Sequence, residues 1–269
     1  HARKYQQLRY LLRAKEGEEI EVVFTNPEGA EQTATLKAFP ERSSFGATSV
    51  FRNYDPNALP VEFTILDSGV GYIKLNSNYD DLNLVYRLFT RALFTFEINE
   101  LPGIIIDLRL NNGGQPLGLA SFLTDQEIPT GQDEYFSEAT GKFEPSGAPG
   151  KITPSEEQYR FGKMVLLVGQ GCSSACEFEA YAFSQVPGMI VVGEMPTGGL
   201  FGDVARGQFL LPGGMSLQVP TGRTIMPDGT VLLEGVGVVP GEVVPVTAEV
   251  LLSGEDFVLD YAVSLIVGN

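Results

Sequence analysis

The 269-residue sequence has one histidine, His1, and two cysteines, Cys172 and Cys176. It also has no apolar run near the roughly 20 residues that cross a bilayer. Each scarcity excludes something. One histidine and two cysteines cannot fill a four-ligand zinc site. No glycine-rich phosphate loop, HExxH helix or dinucleotide fingerprint is present, so neither a metal nor an organic cofactor is expected. Basic residues are few: 18 Lys and Arg stand against 34 Asp and Glu, a formal net charge of −16. That balance argues against nucleic-acid backbones and anionic membrane surfaces as partners. The two cysteines lie four apart, where a helix start would make a disulfide awkward, and read as small buried hydrophobes.

What is present suits a folded α/β chain: 43% hydrophobic and 19% charged residues. Helical spacing (Tyr5, Leu8, Leu11, Leu12) predicts a helix to about Lys15. Alternation then predicts a hairpin from Glu19–Phe24 and Gln32–Lys37 around Asn26-Pro27-Glu28-Gly29. Such a piece cannot close a core alone. The chain starts without Met and inside this pattern, which reads as a cut chain. Residues 40–60 read as a linker.

From Val61 onward strands and helices alternate, which predicts a largely parallel sheet. The strands are Phe63–Leu66, Gly71–Leu75, Gly103–Leu108, Met164–Val168 and Met189–Gly193. The helices are Asp80–Glu97, Leu117–Leu123, Ala175–Phe183 and Gly254–Ile266, and a further strand pair flanks Pro212-Gly213-Gly214. Residues 127–162 read as a surface excursion. Ligands of such sheets gather at the carboxyl ends of strands, where Asn111–Gly114 and Cys172–Ser174 both fall.

Ser174 has two readings. Ser174-Ala175-Cys176-Glu177 fits S-x-x-E, a capping box in which hydroxyl and carboxylate satisfy the first N–H groups of a helix. The same serine on a helix N-terminus could be a nucleophile, with an oxyanion hole built from the amide after it and from Gly113 or Gly114. A base is missing: the one histidine is His1 and no lysine follows Lys163.

Four segments in order resemble the tail-specific (C-terminal processing) serine peptidases, family S41. Asp107-x-Arg109-x-Asn111-x-Gly113-Gly114 resembles the D-x-R-x-N-x-G-G turn. Ser173–Glu177 sits where the family has S-A-S-E. Val192-Gly193-Glu194-x-Pro196-Thr197-Gly198-Gly199 resembles V-G-E-x-T-x-G. Pro227-Asp228-Gly229 with Glu234-Gly235-Val236-Gly237-Val238 resembles the closing signature. The resemblance implies a ClpP/crotonase-like α/β core over residues 61–269, with helices on both faces of the sheet. It makes residues 1–40 a partial PDZ unit and 41–60 a linker.

It further implies a serine endopeptidase acting on unfolded or C-terminal peptide segments. Ser174 would be nucleophile, and Gly113 or Gly114 with Ala175 the oxyanion hole. Lacking the dyad lysine, the sequence is closest to the branch like the tricorn core and the interphotoreceptor retinoid-binding protein repeats. That branch uses Ser, His and Glu, which makes Glu234 the third member and places its histidine upstream. This chain alone is then expected to be almost inactive. The alternative is a non-catalytic module binding an apolar ligand or peptide. Relatives work outside the cytoplasm, and homo-oligomers are compatible with the family.

Overall fold

A computed structural model describes residues 13–26, 28–40, 57–245, 247, 250 and 253–268. The N-terminal helix expected over residues 1–15 falls largely outside these residues, as do His1 and most of the expected linker. β1 (Glu19–Thr25) and β2 (Glu31–Lys37) form the expected antiparallel hairpin, closed where Asn26 accepts the Gly29 and Ala30 N–H groups.

The core is a six-stranded sheet. β3 (Val61–Ile65) and β4 (Gly71–Leu75) are antiparallel. β5 (Gly103–Asp107), β9 (Lys163–Val168), β10 (Met189–Gly193) and the short β14 (Glu242–Val243) then add in parallel, giving the order β14-β10-β9-β5-β4-β3. Every residue of β5 is buried, as in a strand covered on both faces. Each new parallel strand joins the same side of the last. Right-handed crossovers then put α1 (Leu82–Ile98) and α2 (Ala175–Ser184) on one face.

That face is a core of Phe89, Phe96, Ile104, Ile106, Leu166 and Phe183, with the Phe89 and Phe183 rings 5.9 Å apart between the two helices. Burying each such side chain contributes roughly 1.5–3 kcal/mol. α3 (Phe257–Val267) returns to cover the other face, packing Val258, Ala262 and Ile266 on Ile105, Val165 and Leu167. Asp81 and Asp256 cap α1 and α3 through Leu84 N–H and Leu259 N–H.

Two expectations are corrected. The excursion over 127–162 contains β6 (Ile128–Ser137), β7 (Lys142–Pro145) and β8 (Gly150–Ile152). With β13 (Gly222–Ile225) they make a second, antiparallel sheet. Its Gly and Pro residues fall partly in turns, as Gly141 and Gly147 do, and partly inside the strands, where Pro129 and Gly131 sit at an irregularity of β6. Residues 117–123 form only a single 3-10 turn, Leu119–Phe122. The left-handed Gly118 breaks the segment, and the Glu179 carboxylate collects the N–H groups of Leu117, Gly118 and Leu119. β11 (Gln208–Leu210) and β12 (Ser216–Gln218) pair around Pro212–Gly214, as expected.

Candidate active site

The carboxyl ends of β5 and β9 lie side by side, and their loops build the site. After β5, buried Asn111 accepts the Gly113 N–H on Oδ1 (2.9 Å) and donates to buried Asn78 (2.6 Å). Asn78 N–H donates to the Gly113 carbonyl, and Gln115 N–H to the Asn78 carbonyl. This polar knot needs glycine at two positions. Gly113 (φ +98°) lies against the serine loop, where an added Cβ would stand 2.8 Å from Ser174 Cβ. At Gly114 (φ +135°) one would stand 2.4 Å from the Asn78 carbonyl oxygen. Both φ values lie where side chains are strained.

After β9 the chain turns through Gly169–Ser173 into α2. Ser174 precedes the helix at φ 57°, ψ −127°, a region that non-glycine residues rarely occupy, and its side chain makes no capping hydrogen bond. The capping-box expectation is therefore corrected. The backbone turn lifts the exposed hydroxyl away from the N–H groups of α2, so that half of the box fails, while Glu177 keeps a pull from the Ser174 N–H beside its closer partners. Glu177 is fully buried and accepts from Thr197 Oγ1 (2.6 Å), Gly199 N–H (2.8 Å) and Leu200 N–H (2.8 Å). Burial pushes its carboxyl above the ordinary range, and these donors partly offset the rise. Leu200 in turn accepts the Ser174 N–H through its carbonyl (3.0 Å).

The two cysteines are also corrected. They are joined in a disulfide, with their Cα atoms 5.3 Å apart, inside the usual bridging range. The awkwardness expected from their spacing belongs to a regular helix. The Ser174 turn interrupts that helix between them.

Ser174, Ala175 and Gly114 line one cavity of 690 Å³. Gly113 lies behind it, its N–H used by Asn111, whereas the N–H groups of Gly114 and Ala175 meet no acceptor among the described residues. Glu234 is half-buried and accepts from Phe201 N–H (2.9 Å) and Gly202 N–H (2.7 Å). Those two residues line the same cavity, directly after the Leu200 that holds Ser174. The opposite wall is the second sheet, which presents Asp133 and Tyr135, with Asp203 accepting from the Tyr135 hydroxyl (2.9 Å). No lysine or histidine lines this cavity among the described residues.

Asp107, Arg109 and Glu194, though part of the same sequence motifs, lie elsewhere. They line a second cavity of 410 Å³ beside the start of α3. There Arg109 donates to both Asp107 and Asp256, tying the end of β5 to the cap of α3. Asn78, Glu179 and the wall of the second sheet escaped sequence reasoning. Only two acids in an otherwise largely apolar helix, Glu177 and Glu179, hinted at part of it.

This fold resembles known structures at low identity. Mature CPAF superposes with a TM-score of 0.70 at 16% identity, over 100% of this chain and 72% of that one. A candidate peptidase from Parabacteroides merdae ATCC 43184 gives 0.60 at 19% identity, over 98% and 87%. The tricorn protease gives 0.51 at 18% identity, over 96% of this chain and 23% of its own. A search of curated proteins finds no match. The sequence model of peptidase family S41 matches residues 69–244, well over half of the chain. A serine on a strand-to-helix turn beside unpaired backbone N–H groups accords with that match, and the chain belongs to peptidase family S41.

Proposed function

We propose that the chain carries the catalytic core of a tail-specific serine endopeptidase of the Ser-His-Glu branch, acting on unfolded or C-terminal peptide segments. The observation that carries this reading is Ser174. Its hydroxyl is exposed, free of capping, and shares a cavity with the N–H groups of Gly114 and Ala175, which meet no acceptor among the described residues. Ser174 Oγ attacks the scissile carbonyl carbon and passes its proton to a base. The N–H groups of Gly114 and Ala175 receive the developing oxyanion. The C–N bond then breaks as the amine takes that proton, and water hydrolyses the acyl ester. The base is a histidine from outside the described residues, oriented through Glu234. The working location is outside the cytoplasm, as in relatives, and the partner is a peptide or unfolded protein. The domain division at residues 40 and 60, with a partial PDZ unit before the core, belongs to the same proposal, as does homo-oligomerisation.

The test is hydrolysis of an unfolded protein by an N-terminally extended form, beside its Ser174→Ala variant and the present chain. Activity in the extended form alone, falling at least ~10³-fold in the variant, is expected. Equal absence in all three would point instead to the alternative, a binding module on a peptidase fold. The lack of a lysine or histidine among the described cavity residues is what favours that alternative.

A further inference from the structure

Ser174 sits midway between Cys172 and Cys176, and both cysteines are fully buried in the core beneath it. The local sequence favours a different arrangement. S-x-x-E invites a regular helix start in which the Ser174 hydroxyl turns inward as a cap. The bridge closes a loop of five residues with Ser174 at its centre, its Cα atoms 5.3 Å apart, and so limits the backbone conformations open to that residue. Its Cys172 end is anchored away from Ser174, and its Cys176 end by a turn bond that spans it. Cys172 donates its N–H to Gly169 (3.0 Å) and accepts from Gly198 N–H (2.7 Å), while Cys176 donates to Ser173 (3.2 Å).

We propose that the Cys172–Cys176 disulfide is a positioning device for the nucleophile. It restrains the turn that holds Ser174 at positive φ with its hydroxyl out in the cavity. The catalytic consequence rests on reading Ser174 as the nucleophile; the conformational consequence does not.

The experiment is a thermal-unfolding cycle on the whole chain. Ser174→Gly removes the strain of positive φ. In the disulfide-bonded protein it is expected to raise Tm by about 3 °C. In the Cys172→Ala/Cys176→Ala variant, and in protein reduced with a phosphine, it is expected to leave Tm unchanged or lower it, because Ser174 has already relaxed. Equal Tm shifts in bonded and unbonded backgrounds overturn the proposal. So does the recovery of two free thiols from protein unfolded without reductant. In an extended form that hydrolyses unfolded protein, loss of the disulfide is expected to lower kcat at least ~10-fold with KM within about twofold. An unchanged kcat there overturns the proposal too. Should no form hydrolyse anything, the peptidase reading fails, and the Tm cycle still decides whether the disulfide sets the serine conformation.

Discussion

Glu177 shows how one residue's role follows from what surrounds it. In the sequence it is the last letter of a capping box; in the fold it is a buried acceptor for three donors from residues 197–200. Glu177→Ala leaves the Thr197 hydroxyl and the Gly199 N–H buried without that acceptor, and the part-buried Leu200 N–H as well. Each orphaned donor costs about 1–3 kcal/mol. A loss of roughly 3 kcal/mol or more, read as a lower urea midpoint at unchanged slope, is expected. Leu200 would drift from the Ser174 N–H as well, so catalysis should fall beyond the loss of folded protein. Hydrolysis per folded molecule checks this. Ser174 behaves differently: Ser174→Ala removes an exposed hydroxyl that has no partner among the described residues, and its Tm should stay within about 1 °C of the parent.

Among the elements, α3 depends most visibly on one contact made far along the chain. Asp256 caps the helix through Leu259 N–H and also takes two hydrogen bonds from Arg109, 147 residues away (2.7 and 2.6 Å). Burial works against ionisation of Asp256, but Arg109 and the helix N–H groups outweigh it and hold the carboxyl below the ordinary aspartate range. A depressed carboxyl stabilises the fold above its unfolded value of about 3.8, and this contribution is lost as pH falls through the folded value. Asp256→Asn keeps a capping side chain and removes the ion pair. Because Asp256 is partly exposed, the expected cost at pH 7 is only about 1 kcal/mol. The gap between parent and variant should close as pH drops below about 3.8. Denaturant titration of both proteins at several pH values measures it.

Across the whole molecule, buried acids and net charge act in the same direction. Burial raises Glu177 and Glu179 above the ordinary glutamate value of about 4.5, and partial desolvation raises the more exposed Glu194 as well. The folded state therefore binds protons more readily than the unfolded chain, and stability declines as pH rises from 4.5 through the folded values. Rising pH also sustains the self-repulsion of a chain with net charge −16. Tm should be higher at about pH 5.5 than at about pH 8, and at pH 8 it should rise with added NaCl as screening takes hold. A salt-independent Tm would show that the excess charge is too dispersed to matter.

The same scale separates what could be read from sequence from what could not. The apolar runs of β5, β9 and β10, and the helical spacing of Phe89, Leu93 and Phe96, determined a parallel sheet with helices on it, because burial is periodic in the chain. The glycines and Ser174 marked the strand ends for the same local reason. Which N–H of the Gly113–Gly114 pair stays open, the disulfide under the serine, and the wall made by β6 and β13 were decided only by tertiary structure. The first and the last depend on groups far apart in sequence: Asn78 on Asn111, and Thr224 on Asp133. Even the bond between Cys172 and Cys176, four residues apart, closes across a backbone turn at Ser174 that local preference opposes, where Ser173 and Ser174 are tied to Asn111 and Leu200.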